Sequence, residues 1–259
     1  MSFRRSSTRV KPPKATIKIL CVGDGSIEKT KRFSFYLLHN IFTGKTCLLT
    51  VFATNEFPSA YEPTVFDNFA CVMHRNSAAS YNLELFDTAG QEEWEQLRRM
   101  MYANTDVFLV CYSCMQPSSF DNVEKKWMPD VRSHDPSSLV ILVSLCIDLR
   151  TNNNSVNAQP DLISTPVVTS RQGADLAKRL KCNAFIECSS MLRFHVREVF
   201  ECAVDVFERD YQRYSDQYCH DQRRCHTWLC CLMCCSSRKQ ISQKNNKHDK
   251  SDQYVYNPE

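Results

Sequence analysis

The chain has 259 residues, 43% of them hydrophobic, and a formal net charge of +3. A chain of this length can bury a hydrophobic core unaided. Its positive and negative charges are nearly balanced, which does not favour a nucleic-acid partner. Fifteen cysteines would suit an extracellular disulfide protein, but the first residues lack the apolar core of a secretory signal, which predicts free thiols in a reducing cytosol. No stretch reaches the roughly 18 apolar residues of a membrane-spanning helix, so we expect a soluble or surface-attached protein.

Composition divides the chain into three parts. Residues 1–14 are basic and have few apolar side chains, which predicts a disordered arm. Residues 15–215 are predicted to form one domain, with an insertion at 28–43. Residues 216–259 are predicted to be a cysteine-rich tail that is otherwise disordered.

The spacing of apolar residues predicts alternating strands and helices. Runs rich in branched residues indicate strands, several of them buried, and apolar positions at three- and four-residue spacing indicate helices. Strands are predicted at 16–22, 65–69, 81–86, 106–112, 139–143 and 184–188, helices at 118–132, 170–180 and 196–214, and a hairpin around 75–77. Cys111 and Cys114 are predicted to be small core residues. This alternation indicates an α/β domain.

A phosphate loop reads G-x-x-x-x-G-K-[ST]: its glycines let backbone amides surround the phosphates, its lysine reaches them and its hydroxyl binds magnesium. The pattern occurs twice in this chain, incomplete each time. Residues 23–30 have the right length, but Glu28 stands at the second glycine, where a carboxylate would repel phosphate. The other choice starts at Gly23 and resumes at residues 44–46, which read Gly-Lys-Thr.

A second motif, Asp-Thr-Ala-Gly-Gln at residues 87–91, directly follows the strand at 81–86. It suits a triphosphate site, in which the aspartate holds a metal, a backbone amide faces the last phosphate and the glutamine orients water. Further motifs are Glu-Pro-Thr at 62–64, Leu-Cys-Ile-Asp at 145–148 and Glu-Cys-Ser-Ser at 187–190.

In this order, the motifs resemble those of the small GTPases over residues 16–209. Residues 62–68 and the Lys-Trp-Met-Pro segment at 126–129 narrow the resemblance to the Rho branch. The resemblance implies a three-layer α/β fold, with a six-stranded, mostly parallel sheet, one antiparallel strand and about five flanking helices. It also implies a molecular switch that binds GTP or GDP with Mg²⁺ and hydrolyses GTP to GDP.

The resemblance assigns roles to individual residues. Lys45 and Gln91 would be catalytic, the first by stabilising charge on the outer phosphates and the second by orienting the attacking water. Thr46, Thr64 and Asp87 would hold magnesium, the aspartate through a water. The nucleotide would be bound by Gly23, Asp24, Gly25, Gly44, Lys45, Thr46, Cys47, Phe57, Tyr61, Thr64, Asp87, Gly90, Asp148, Ser189 and Ser190.

Two features depart from the family pattern. Cys146 stands where the family has a lysine, and the loss of that side chain removes packing on the guanine ring and a tether to the phosphate loop. We therefore expect weakened nucleotide affinity, although Asp148 keeps the carboxylate that distinguishes guanine from adenine. The other departure is the apolar, aromatic segment 28–43. The junction at Gly44 is favoured over that at Glu28, because the residues after it then open the first helix.

Two explanations of residues 28–43 compete. The segment is either a genuine bulge that leaves the helix start in place or a stretch that the mature message does not encode. The second is favoured, because loops tolerate insertion at exposed tips and not where their backbone is the ligand. A cDNA read that retains codons 27 to 44 would contradict this preference.

The tail contains clustered cysteines in an apolar patch bordered by basic residues. This composition favours S-acylation, with the cations held by anionic lipid headgroups. A zinc site is the rival, but the cysteines lack the second well-spaced pair that a closed site prefers. An unmodified tail is the third alternative. The predicted acylation sites are Cys230, Cys231, Cys234 and Cys235. The last residues do not form a prenylation box, so no prenylation is expected.

The resemblance implies partners as well as chemistry. Exchange factors, GTPase-activating proteins and effectors would bind through two switch regions, around residues 57–69 and 92–99, and the output would be control of actin and cell shape. The protein is expected to be a monomer on the cytoplasmic face of the plasma membrane or of endosomes, and partly cytosolic. The alternative is a pseudo-GTPase, an interaction module that binds nucleotide weakly or not at all.

Overall fold

The computed structural model describes residues 16–25, 44–58, 66–76, 79–152 and 167–224. The strands in these ranges are β1 (Thr16–Gly23), β2 (Phe66–Asn76), β3 (Ala79–Thr88), β4 (Val107–Ser113), β5 (Leu139–Leu145) and β6 (Ala184–Glu187). The helices are α1 (Lys45–Thr54), α2 (Glu95–Met101), α3 (117–134), α4 (Ile147–Asn152), α5 (Ser170–Arg179) and α6 (Val196–Arg224). A short 3₁₀ turn, Glu92–Trp94, precedes α2.

The strands form one sheet in the order β2-β3-β1-β4-β5-β6. Only β2 and β3 run antiparallel, as the predicted hairpin requires, and all other pairs are parallel. Every residue of β4 and β5 is buried, which is typical of parallel strands covered on both faces. The predicted fold class, a three-layer α/β domain with a mostly parallel six-stranded sheet, is confirmed. The described ranges contain six helices, against about five expected.

Two apolar layers cover the two faces of the sheet. On one face α1 and α6 contribute side chains such as Leu48, Leu49 and Phe200, whose ring stacks on Phe52 with centroids 3.8 Å apart. On the other face α3 and α5 contribute Trp127 and further apolar residues. The predicted core positions Cys111 and Cys114 are fully buried. The nine cysteines whose side chains the structure describes are all free thiols.

Helix α3 contains a π turn that the sequence pattern did not predict. The turn spans Val123–Trp127 and separates two α-helical segments, Pro117–Asn122 and Met128–His134. Both terminal residues of the turn are fully buried. Because a π turn adds one residue to a helical turn, it rotates the following residues relative to a regular helix, and such turns occur frequently at functional sites. Here it lies next to the carboxyl end of β1.

Helix α6 runs past its predicted end at Tyr214 and reaches Arg224. Its core face is the predicted one, with Val199, Ala203 and Val206 buried against the sheet. None of the helices within the described ranges is long and apolar enough to cross a bilayer.

Candidate functional site

The predicted site residues lie at the ends of neighbouring strands. Gly23 is the last residue of β1, Asp87 is the second-last residue of β3, and Ser189 follows β6. These strands are parallel to one another, so their carboxyl ends meet at one edge of the sheet. Ligands of open α/β sheets bind at this edge. The fold therefore brings motifs that are far apart in sequence to one place.

Lys45 joins the two halves of the interrupted phosphate loop. Its side chain is buried, with 5% exposure, and its Nζ donates to the carbonyl oxygens of Gly23 at 3.1 Å and Asp24 at 2.7 Å. Gly44, directly before the lysine, has φ 76°, a left-handed conformation that suits glycine, and precedes α1. The glycines after β1 and the Gly-Lys-Thr segment thus meet in space. Residues 28–43 lie outside the described residues.

Thr46 and Asp87 form an oxygen pair beside this lysine. The threonine Oγ1 donates to the fully buried carboxylate, at its Oδ2. Magnesium in proteins is held through one or two carboxylates together with waters and phosphates, so a hydroxyl and a carboxylate side by side suit this ion. The third predicted ligand, Thr64, lies outside the described residues. Cys47 follows, and burial raises the pKa of its thiol to about 11, which keeps it neutral near neutral pH.

Gly90 lies against the backbone of the first phosphate-loop half. A Cβ at this position would stand 1.9 Å from the backbone nitrogen of Gly25 and 2.5 Å from the carbonyl oxygen of Gly23, so only glycine fits. The side chain of Gln91 lies at Gly25, where an added Cβ would stand 3.2 Å from its Cδ. The buried Oε1 of this glutamine has no hydrogen-bond partner among the described residues. A carboxamide oxygen at this place suits the predicted role of orienting water.

Asp148 is held by the end of β6. Ser189 Oγ donates to its Oδ1 at 2.6 Å, and both Ser189 and Ser190 are buried. Arg150, on the same helix α4 as the aspartate, donates to both carboxylate oxygens of Glu187 at 2.7 and 2.9 Å. Such a two-point ion pair is geometrically specific. The carboxylate predicted to bind guanine therefore lies on a helix that this ion pair connects to the end of β6.

Cys146 occupies the position at which the family carries a lysine. Its φ is 62°, and its Sγ lies 3.5 Å from the place where a Cβ of Gly44 would stand. Burial raises the pKa of the thiol to about 12, so the group is neutral near neutral pH. The side chain thus packs at the start of α1 without offering the positive charge or the length of a lysine.

Several predicted residues are not brought into this group. Phe57 is half-buried and packs against the core layer of α1 and α6, and its stacking on a guanine base stays a prediction. Tyr61 lies outside the described residues. The predicted acylation sites Cys230, Cys231, Cys234 and Cys235 also lie outside them.

Three residues contact the site although the sequence analysis assigned none of them a role in it. Trp127 Nε1 donates to Asp24 Oδ1 at 2.7 Å, and Asn122 Nδ2 donates to Asp24 Oδ2 at 2.8 Å. Arg98 donates to the carbonyl oxygens of Ala89 at 2.9 Å and Gln91 at 3.3 Å. The sequence indicated the tryptophan only as part of a predicted helix and of the segment at 126–129. Since about one hundred residues separate it from the aspartate, no local pattern could reveal the contact.

Taken together, the side chains at this edge fit a guanine nucleotide with magnesium. Lys45 supplies a buried cation for phosphates, Thr46 and Asp87 supply oxygen ligands for the ion, and the glycines allow close backbone approach. Asp148 supplies a carboxylate for a base that carries two donors. The neutral Cys146 stands where the resemblance implies a lysine.

Comparison with known families agrees with this site. The Ras family model matches residues 35–209, which is more than half of the chain. The match contains Lys45, the motif at 87–91, Asp148 and Ser189, and begins after the glycines that end β1. Domains of this family bind GTP or GDP with Mg²⁺, hydrolyse GTP and respond to exchange factors, activating proteins and effectors. The chain therefore belongs to the Ras family, whose members are small GTPases that act as molecular switches.

Proposed function

We propose that the chain is a Rho-type GTP-binding switch that hydrolyses GTP to GDP and signals to the actin cytoskeleton and cell shape from a membrane. The observation that carries this proposal is the pair of hydrogen bonds from Lys45 Nζ to the carbonyl oxygens of Gly23 and Asp24. They bring the phosphate-loop lysine to the glycines after β1 despite the residues that intervene in sequence.

Each candidate catalytic group has a defined task. GTP supplies the phosphoanhydride bond, and Mg²⁺ supplies positive charge that stabilises the phosphates. Lys45 would present its ammonium to the outer phosphates, and Thr46 and Asp87 would hold the ion. Gln91 offers a buried carboxamide oxygen to the attacking water. Arg98 holds the carbonyl oxygens of the turn before α2, so that the glutamine is presented in a fixed place.

Regulators and effectors would bind through the two switch regions. Small GTPases hydrolyse GTP slowly alone and receive an arginine from an activating partner. Arg98 does not serve as that arginine, because its guanidinium is buried and donates to backbone carbonyls. Phe66, Trp94 and Leu97 are between 36% and 40% exposed and line the same cleft. Exposed apolar side chains of this kind suit partner contacts.

The Rho assignment and the membrane location rest on sequence segments. Residues 126–129 belong to α3, while most of residues 62–68 and the cysteine-rich tail lie outside the described residues. A palmitate analogue that labels the full chain in a hydroxylamine-sensitive manner would support acylation of the tail. Absence of label together with stoichiometric zinc would instead support the rival metal site.

The second candidate function is a pseudo-GTPase. Cys146 favours it, because a neutral thiol replaces the lysine that would cover the base and contact the phosphate loop. The segment 28–43 favours it as well, since it interrupts the loop whose backbone would bind the phosphates. In this function the switch surface and the tail would be kept for interactions, without turnover of nucleotide.

The nucleotide content of the purified full chain separates the two functions. The protein would be prepared with magnesium and denatured, and the released nucleotide would be identified by chromatography. We expect close to one guanine nucleotide per chain. A protein without bound nucleotide would contradict the switch function, and a variant without residues 28–43 would then locate the cause. If this variant binds nucleotide, the segment prevents binding in the full chain. If it also lacks nucleotide, the pseudo-GTPase is supported.

Replacing Cys146 by lysine is expected to tighten GDP binding roughly tenfold, since one desolvated charged contact contributes about 1.5–3 kcal/mol. The position has the backbone conformation in which the present side chain already points to Gly44, so a longer stem could cover the base from the same place. Titration with a fluorescent GDP derivative would measure the change. Cys182→Lys is the control, because this half-buried thiol packs against the other core layer and has no contact with the site. Equal affinities of Cys146→Lys and the unchanged chain would contradict the expectation.

A further inference from the structure

Asp24 connects helix α3 to Lys45, through its carboxylate on one side and its backbone carbonyl on the other. Its carboxylate accepts hydrogen bonds from Trp127 Nε1 at 2.7 Å and from Asn122 Nδ2 at 2.8 Å. Its backbone carbonyl oxygen accepts from Lys45 Nζ, also at 2.7 Å. One residue therefore links the lysine at the start of α1 to helix α3, and we refer to Asp24, Trp127 and Asn122 as the clasp.

Two of the three clasp residues are buried, and Asn122 is half-buried. Trp127 has no exposed surface and Asp24 is 9% exposed, so a donor or acceptor that lost its partner here would not regain it fully from water. The π turn of α3 ends at this tryptophan, and the guanidinium of Arg98 lies 4.8 Å from its ring. The same arginine holds the carbonyl oxygen of Gln91. The contacts thus continue from the phosphate loop through α3 to the turn that carries the candidate catalytic glutamine.

Charge explains why the direction of this side chain matters. A carboxylate that faced bound phosphates would repel them, whereas the two donors on α3 hold the carboxylate of Asp24 on the helix side. The backbone of the same residue is left to approach Lys45. The clasp therefore places the carbonyl where it orients a cation and keeps the negative charge apart from the anion.

The clasp is more important in this chain because its phosphate loop is interrupted in sequence. In an uninterrupted phosphate loop, four residues between the two glycines limit how far the halves can separate. In this chain residues 26–43 stand between Gly25 and Gly44, so chain connectivity restrains the first half much less. The hydrogen bonds of Asp24 with α3 supply such a restraint.

We propose that Asp24, Trp127 and Asn122 are positioning residues that hold the first half of the phosphate loop in register with Lys45, so that retention of bound nucleotide depends on them. This inference rests on the proposed binding of guanine nucleotide. In this role the three residues act through the position of the phosphate loop and not through contact with the base.

Two substitutions of Asp24 separate positioning from simple charge repulsion. Asp24→Ala removes both the carboxylate and the clasp, while Asp24→Asn removes the charge but keeps an acceptor for the indole N–H and can still pair with the rotated amide of Asn122. Release of a fluorescent GDP derivative from the magnesium-loaded full chain would be measured. We expect release from Asp24→Ala to be roughly tenfold faster and release from Asp24→Asn to be accelerated less, because the amide can keep both hydrogen bonds. If the charge mattered only by repulsion, both variants would retain GDP longer, which would overturn the proposal.

Trp127→Phe tests the other side of the clasp, with Tyr102→Phe as its matched control. Tyr102 Oη donates to Asp130 Oδ2 at 2.7 Å, so each substitution removes one hydrogen bond between a buried aromatic donor and a carboxylate, and both bonds involve α3. Only the tryptophan bond reaches the phosphate loop. We expect faster GDP release from Trp127→Phe alone, with both variants less heat-stable. Equal release rates in the two variants would show that a merely structural loss is sufficient and would overturn the proposal.

A measurement without nucleotide keeps this inference separate from the proposed function. Amide hydrogen exchange of peptides that cover residues 16–25 would be followed in the nucleotide-free full chain. Faster exchange in Asp24→Ala, but neither in Asp24→Asn nor in Tyr102→Phe, would support the clasp even if the unchanged chain proved unable to bind GDP. Unchanged exchange in Asp24→Ala would overturn it.

Discussion

Replacing Lys45 by methionine is expected to lower the affinity for GDP at least about 100-fold, because it removes a desolvated cation that makes charged hydrogen bonds of about 1.5–3 kcal/mol each. Lys45 is 5% exposed, and its ammonium donates to the carbonyl oxygens of Gly23 and Asp24. Methionine keeps the length of the stem and loses the charge. Equilibrium titration of the full chain with a fluorescent GDP derivative would measure the loss.

Lys18→Met is the matched control for this substitution. Lys18 Nζ also donates to two backbone carbonyl oxygens, those of Met101 at 2.7 Å and Ala103 at 2.8 Å, but it belongs to the opposite end of the sheet. Both variants are expected to unfold at lower temperature than the unchanged chain. Only Lys45→Met should lose GDP affinity. Equal losses in the two variants, or none in Lys45→Met, would contradict the role of the lysine at the phosphates.

The second large effect is expected from Gly90→Ala, which should slow GTP hydrolysis about 100-fold, the factor that a misplacement of about 1 Å can cost. A methyl group at this position would stand 1.9 Å from Gly25 N and 2.3 Å from Asp24 C, and these are backbone atoms that cannot rotate away. The loop that carries Gln91 must therefore move from its place beside the phosphate loop. Single-turnover hydrolysis with GTP already bound would measure the rate without contributions from exchange.

Gly173→Ala controls for the steric cost alone. An added Cβ at Gly173 would stand 2.3 Å from Tyr112 Oη and 2.5 Å from Phe185 Cζ, inside the core under α5. Overpacking of this kind costs about 1–3 kcal/mol of stability. We expect Gly173→Ala to unfold at lower temperature and to hydrolyse GTP at an unchanged rate. A hydrolysis rate in Gly90→Ala equal to that of the unchanged chain would show that the close approach has no catalytic role.

Local sequence patterns predicted the strands and the edge of the sheet where the site lies. The runs that became β4 and β5 are apolar throughout, as strands covered on both faces must be. The motif at residues 87–91 was informative because each chemical group it needs lies within five consecutive residues. For α6 the predicted core face is correct, but the helix continues past its predicted end at Tyr214 and reaches Arg224.

The sequence by itself determined the α/β class, the family and the identity of the candidate phosphate, magnesium and guanine groups, because these depend on apolar periodicity and on short motifs. Only the tertiary structure decided that Lys45 meets the glycines after β1, that Gly90 leaves no room for a side chain, and that Asp24 is held by α3. The physical reason is that these contacts join groups from separate strands and helices. Their geometry follows from how the elements pack. The π turn that ends at Trp127, the residue that contacts the phosphate loop, was not predicted by any residue pattern.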